Sequence, residues 1–344
     1  MIIYIYGELT GSEVESVVIY ETKAADAYVA GSGVVLTGGG KVIEFLDMYD
    51  EFHKLGAVLN HITHMNAYGE AMYTFSLHSI FKKSKSPLLQ SSSEHNSFPL
   101  SYFFSREAMQ VILEKAIQND TYSRYFPKEI QDLTKVHLRA NTTVTSVYEY
   151  EENGKRKAGV KLADGTIDDG YDYVLGCDGI RSNIRNYIQK EYCAINKDEV
   201  CDQGGSRYSG IRMGILATGP DPNFELRPTG KNMTRQWYGN GVYVMETTMG
   251  GVRGVQQVIG VSFRADDDSK LGENANWKDE RERIQIVLRE KLAAGGLDEP
   301  EILTVLENAQ HGIDIGIRDN PKPYKTWSSS SGRVVVVGDS AHKM

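Results

Sequence analysis

The chain has 344 residues, enough for two domains or for one large domain carrying an inserted sheet. Its 46 acidic and 38 basic side chains leave a net charge of -8, and no basic stripe stands out, which argues against general nucleic-acid binding. The apolar runs fall far short of a membrane span, and the start Met1-Ile-Ile-Tyr-Ile-Tyr6 lacks a basic n-region and a small-residue cleavage site, so neither a membrane anchor nor a signal peptide is expected.

In chain order, Ser16 to Tyr20 reads as a short buried strand closed by Glu21. Gly38 to Gly56 reads as a helix, with Val42, Phe45, Leu46 and Tyr49 at helical spacing and Gly56 as its C-cap. Residues 82–97, rich in Ser and Lys, read as an exposed loop. Ser105 is placed to cap a helix whose apolar face is Met109, Ile112, Leu113, Ala116 and Ile117. Val136 to Val147 alternates around Asn141 and predicts a strand, and Asn153-Gly154 and Asp164-Gly165 mark turns of a following hairpin. From about Arg207 the pattern changes to strand-like runs, Ile211 to Ala217, Trp237 to Thr247 and Val255 to Phe263, with no helix between them. That part of the sheet is therefore expected to be antiparallel. A helix from about Trp277 to Ala294 follows, with Ile284, Val287, Leu288 and Leu292 on one face, and Val334 to Val337 predicts a fully buried last strand.

Several residue groups invite a simpler reading than function. Cys177, Cys193 and Cys201 form no C-x-x-C pair, so a reducing, cytoplasmic setting without disulfides is expected. His61 and His64 fit one helix face but have no third ligand, so no metal site is expected. Tyr208, Arg212, Trp237 and Tyr243 are candidates to line an aromatic cavity, although aromatic residues in strands are more often core.

Two stretches carry chemistry. Asp172-Tyr-Val-Leu-Gly-Cys-Asp-Gly-Ile-Arg-Ser-Asn-Ile-Arg185 is a strand ending in Asp178-Gly179 and followed at once by a basic helix start. Arg333-Val-Val-Val-Val-Gly-Asp-Ser-Ala-His342 is a strand ending in Gly338-Asp339. Ligands of open α/β sheets bind at the carboxyl ends of strands, and an ionised carboxylate there suits ribose hydroxyls. Gly179 and Gly338 let the backbone approach a ligand or adopt positive φ. Arg185 closes the first stretch; facing a bound cofactor or substrate it would be the candidate catalytic cation, against the plainer reading of a surface salt bridge.

In this order the motifs resemble the FAD-dependent aromatic hydroxylases, the p-hydroxybenzoate hydroxylase-like flavin monooxygenases. Glu21 looks like the acid that accepts hydrogen bonds from the adenosine ribose. Gly31-Ser-Gly33-Val-Val-Leu36 resembles the Gly-Ala-Gly-Ile segment near the flavin. Ser105-Arg106 resembles the Ser/Asn-Arg segment whose arginine approaches the cofactor phosphates. Asp178-Gly179 resembles the Asp-Gly motif tied to FAD and NAD(P)H, and Gly338-Asp339 the Gly-Asp motif whose aspartate binds the ribityl chain.

The resemblance implies an α/β (α+β) protein, a Rossmann-like FAD-binding domain interrupted by a mostly antiparallel substrate-domain sheet. FAD-binding parts are expected at residues 1–75, 101–190 and 326–344, with 76–100 an exposed loop or substrate-domain part and 191–325 the substrate domain. It implies hydroxylation of a small phenol-like aromatic, with FAD as cofactor and NADH or NADPH and O₂ as co-substrates. Two rivals stay open: another FAD oxidoreductase of the superfamily, and a cofactor-free remnant or binding module of the same fold. A halogenase is disfavoured because no W-x-W-x-I-P motif occurs. The family pattern also has a G-x-G-x-x-G turn and a helix before its ribose acid. Here only Gly7 and Gly11 precede Glu21, and a dozen-residue helix cannot fit between Gly11 and Glu21. The first helix is thus expected to be missing, and the chain truncated at both ends relative to the family.

Overall fold

The computed structural model describes residues 2–6, 16–24, 33–37, 48–83, 101–118, 135–196, 207–219, 233–265, 275–319 and 324–342. The chain forms two compact units. One holds Met1–Ala27, Asp120–Tyr208 and Arg318–Met344; the other holds Tyr28–Asn119 and Ser209–Ile317.

The first unit is built on a five-stranded sheet in the order Val334–Val336, Tyr173–Gly176, Ile2–Tyr6, Ser16–Tyr20, Lys135–Arg139. The second, fourth and outer strands share one direction, while Ile2–Tyr6 runs antiparallel to both neighbours. Only residues 7–15 join Ile2–Tyr6 to Ser16–Tyr20. A parallel return needs a crossover of about a dozen residues or more, so the chain comes back antiparallel. The helix Asn183–Ile195 packs Ile184 and Ile188 into a core shared with Val174, Val334 and Val336. Gly176 permits this approach, because a Cβ there would stand 2.7 Å from Ile184 Cβ. A three-stranded sheet, Val144–Glu152, Lys155–Leu162 and Ile167–Tyr171, adds Val147, Val160 and Tyr171 to the same core. Its first turn is Asn153-Gly154 with φ of 51° and 73°, the left-handed pair that a two-residue hairpin requires.

The second unit centres on an eight-stranded, mostly antiparallel sheet. The exception is Met233–Tyr238, which runs parallel to His61–Met65. The helices Trp277–Gly295 and Pro300–Asn308 cover one face, burying Ile284, Leu288, Leu292, Ile302, Val305 and Leu306 against Trp237, Val244, Ile259 and Val261. The strand Ser101–Phe104 pairs with Val34–Thr37 and Ala57–Val58 in a smaller sheet.

Several expectations change. The described helix near Gly56 is Tyr49–Leu55, capped by the Gly56 N–H on Phe52 O at 2.8 Å; residues 38–47 lie outside the described residues. The predicted strand Val136 to Val147 is two strands, Lys135–Arg139 and Val144–Glu152, because Asn141 at φ 53° turns the chain. Trp237 to Thr247 is likewise a hairpin, Met233–Tyr238 and Val242–Met249, broken at Gly241 with φ 71°. The expected loop overlaps the helix Leu77–Lys83, and the rest of it lies outside the described residues. Ser105 does cap Arg106–Gln118, its Oγ accepting Ala108 N–H at 3.1 Å. The buried face, however, is Ala108 and Ile112, while Leu113 is 43% exposed. His61 and His64 occupy a strand, where an i, i+3 pair points to opposite faces, so no shared helix face exists. Arg212 and Trp237 are fully buried in the second unit.

The compact units also cut the chain differently from the expected domains. Residues 28–75 and 101–119 pack with 209–317, because His61–Met65 pairs with Met233–Tyr238 and Phe103 packs on Met249 and Val258.

Cys193 is disulfide-bonded, against the expectation of three reduced thiols, while Cys177 is free. Spacing along the chain does not limit pairing; the Cβ separation in the fold does. Alkylation of the denatured, unreduced protein is therefore expected to label Cys177 and to spare Cys193 until a reductant is added. Mass spectrometry showing both modified before reduction would refute the bond. No helix among the described residues is long and apolar enough to cross a membrane.

Candidate functional site

The site is assembled on one edge of the five-stranded sheet. Ile2 pairs with Tyr20 on one side and Gly176 on the other, and Gly176 pairs with Val336. The carboxyl ends of three mutually parallel strands therefore come to the same edge, each followed within three residues by an acid: Glu21, Asp178 and Asp339. This is the edge at which open α/β sheets bind ligands.

The Asp178 and Asp339 turns are joined through Ser340. After Gly176 the chain passes Cys177 and turns at Gly179 with φ 79°; after Val336 it turns at Gly338 with φ 57° into the short 3₁₀ turn Gly338–Ser340. The buried Ser340 hydroxyl donates to Asp178 Oδ1 at 3.1 Å and accepts the Gly179 N–H at 2.7 Å. Asp178 Oδ2 accepts the N–H groups of Asn183 at 2.7 Å and Ile184 at 3.3 Å, at the start of the helix that Ser182 caps through Arg185 N. An anion at a helix N-terminus is stabilised by those free donors and by the helix dipole. Asp178 thus braces the turn and helix.

Arg185 is not the surface ion pair of the plainer reading. Its residue is 4% exposed, and its guanidinium donates to Ser340 O at 2.9 Å and Ile180 O at 2.7 Å, with the Tyr324 ring 5.2 Å from Cζ. It is a buried strut between the two turns rather than a surface ion pair. Asp339 and Gly338 are exposed, and a Cβ added at Gly179 or Gly338 would meet no atom within 4 Å. The tips are open to a ligand. Beside them the half-buried Cys177 thiol is pushed up in pKa by burial.

The Glu21 tip is held by its neighbours. Glu21 Oε1 accepts Lys23 N–H at 3.0 Å, and Glu21 N–H donates to Arg139 O at 3.1 Å. Tyr20, just before it, hydrogen-bonds Asp168 and, at 3.0 Å, the Tyr171 hydroxyl, and Arg139 reaches both Tyr20 and Asp168. Burial, then the Asp168 contact, drive the Tyr20 phenol far above its ordinary pKa, and burial pushes Tyr171 up to about 12. Both stay protonated and act as donors.

Gly33 and Arg106 belong to the second compact unit. Gly33 has no room for a side chain: a Cβ would lie 2.4 Å from Phe103 Cε2 and 2.5 Å from Phe104 O. Arg106 is exposed at the first residue of its helix. The predicted last strand is only half as buried as its four valines imply. Val334 and Val336 face the core, and Val337, past the strand end, is 41% exposed. It is the sheet's edge strand, with its outer side met by Ser328 and by Trp327 O. Ser340 and Tyr324 were not singled out from the sequence. Ser340 lay inside the quoted motif, but its partner is 162 residues away along the chain.

No family model and no curated protein matches this chain. Solved structures do. FqzB superposes with a TM-score of 0.60 at 18% identity, over 95% of this chain and 64% of FqzB. The fold is similar to that of FqzB. Klebsiella pneumoniae HpxO, solved with FAD and uric acid, matches with a TM-score of 0.61 at 15% identity over 97% of this chain and 74% of its own. CtdE, solved with FAD and a substrate, gives 0.63 at 16% over 94% and 68%. The chain thus shares a mixed α/β fold with FAD-complexed proteins while spanning less than two thirds of FqzB's length.

Proposed function

We propose that this chain is part of an FAD-dependent monooxygenase that hydroxylates a small, phenol-like aromatic with NADH or NADPH and O₂. The observation that carries the reading is the shared sheet edge, where Glu21, Asp178 and Asp339 follow three parallel strands and two open glycine turns meet. The fold's likeness to proteins solved with FAD supports it.

Hydroxyl groups of a ribose or ribityl chain are donors, so the carboxylates of Glu21 and Asp339 fit the hydroxyl-bearing parts of FAD. Gly179 and Gly338 let that chain approach the backbone. Asp178, already taken up by backbone N–H groups and Ser340, holds the turn and leaves the direct contacts to Asp339. FAD, when bound, supplies the redox and oxygen chemistry; the chain's residues bind, orient and shield it. The first unit is then the FAD-binding part and the eight-stranded sheet the substrate domain.

One observation favours the rival of a cofactor-free binding module. Ile2–Tyr6 runs antiparallel, so its carboxyl end pairs with Ser16 at the edge opposite the three acids. A glycine-rich turn following that strand would face away from the site, and the donors that usually meet a pyrophosphate are not supplied by it. The Gly7 and Gly11 turn itself lies outside the described residues.

Reconstitution separates the readings. Purified protein incubated with FAD and desalted is expected to stay yellow, and NADPH or NADH is expected to bleach it. Protein that leaves the column colourless after incubation with excess FAD would favour the binding module and sink the monooxygenase.

A further inference from the structure

We propose that Ser340 is a positioning residue that fixes the orientation of Asp339 toward the cofactor. This rests on the FAD reading above and deepens it. Ser340 is fully buried and ties its turn to the turn that holds Asp178 and Gly179: its hydroxyl bonds Asp178 Oδ1 and Gly179 N–H, and its carbonyl accepts Arg185 Nη1. Asp339 is the residue immediately before it and is exposed. Within a three-residue 3₁₀ turn, anchoring Ser340 inward sets the outward direction of its neighbour. The Ala341 and His342 N–H groups both return to Gly338 O, at 2.9 and 3.0 Å, so the turn moves as one piece and the Ser340 hydroxyl ties that piece to the opposite turn.

Loss of the hydroxyl removes the tie and leaves the Asp178 and Gly179 groups to find new partners. Ser340→Ala is expected to weaken FAD binding about tenfold or more, equivalent to about 1.4 kcal/mol, and to alter the visible circular dichroism of the bound flavin. Because Ser340 acts through Asp339, adding Ser340→Ala to an Asp339→Asn background is expected to change the FAD dissociation constant by less than about threefold. Ser340→Thr keeps the hydroxyl and is expected to bind like the unaltered protein.

Ser340→Ala protein with a lower unfolding temperature but unchanged affinity and spectrum would overturn the positioning role and leave the FAD reading intact. So would full additivity with Asp339→Asn. If the alanine variant does not fold, amide exchange in the unaltered protein decides: exchange at Gly179 is expected to slow about tenfold on adding FAD, and an unchanged rate would overturn the proposal. Unaltered protein that takes up no FAD would overturn both this role and the function it rests on.

Discussion

Arg212→Ala is expected to destabilise the protein by about 3–5 kcal/mol, enough to unfold the second unit in mild urea. The guanidinium is wholly buried and Nε donates to Asp314 Oδ1 at 3.0 Å, with the Asp314 side chain 4% exposed. Breaking the pair strands a carboxylate in the interior, and that uncompensated charge dominates the loss. Replacing both partners tests this cause. The double variant Arg212→Met, Asp314→Leu is expected to recover most of the stability, because no charge is left to desolvate. Urea midpoints for the two variants decide it, and a double variant as unstable as the single one would show that lost packing, not the orphaned charge, is responsible.

The second large effect is expected at Arg185. Arg185→Ala removes charged donors from two main-chain carbonyls, Ser340 O and Ile180 O, and empties the space beside Tyr324. Hydrogen bonds to charged groups contribute about 1.5–3 kcal/mol each, so a loss of about 3 kcal/mol is expected. Arg185→Lys is expected to recover less than half of it, because a single ammonium on a flexible stem cannot reproduce a planar fork that reaches two carbonyls at once. Thermal unfolding of both variants measures the difference. A lysine variant as stable as the unaltered protein would refute the strut.

The strand tips were legible because a run of β-branched residues ending in Asp-Gly or Gly-Asp has one dominant local solution. The buried strand stops where glycine at positive φ turns the chain, as at Gly179 and Gly338. The Ser105 cap and the Asn153-Gly154 turn were legible for the same reason: each satisfies its own backbone locally. Only nine residues separate the first two strands, fewer than a parallel crossover needs. That the strand then comes back antiparallel followed from the same short span once the pairings were known.

The misreadings came where periodicity ran through a turn. Val136 to Val147 keeps its alternation across Asn141, and Trp237 to Thr247 keeps its own across Gly241, so pattern alone fused two strands into one. Arg185 shows the complementary failure. A charged side chain at a helix start reads as exposed, and only a partner distant in the chain, the carbonyl of Ser340, reveals that it is buried.

The sequence by itself determined the acids that stand at strand ends and the glycines that let the chain turn beside them, since both depend on neighbours a few residues away. The tertiary structure alone decided that Glu21, Asp178 and Asp339 share one edge, and that Asp178 braces a turn through Ser340. Which strands pair, and in which direction, is set by long-range hydrogen bonding and burial, and no local pattern of residues encodes it.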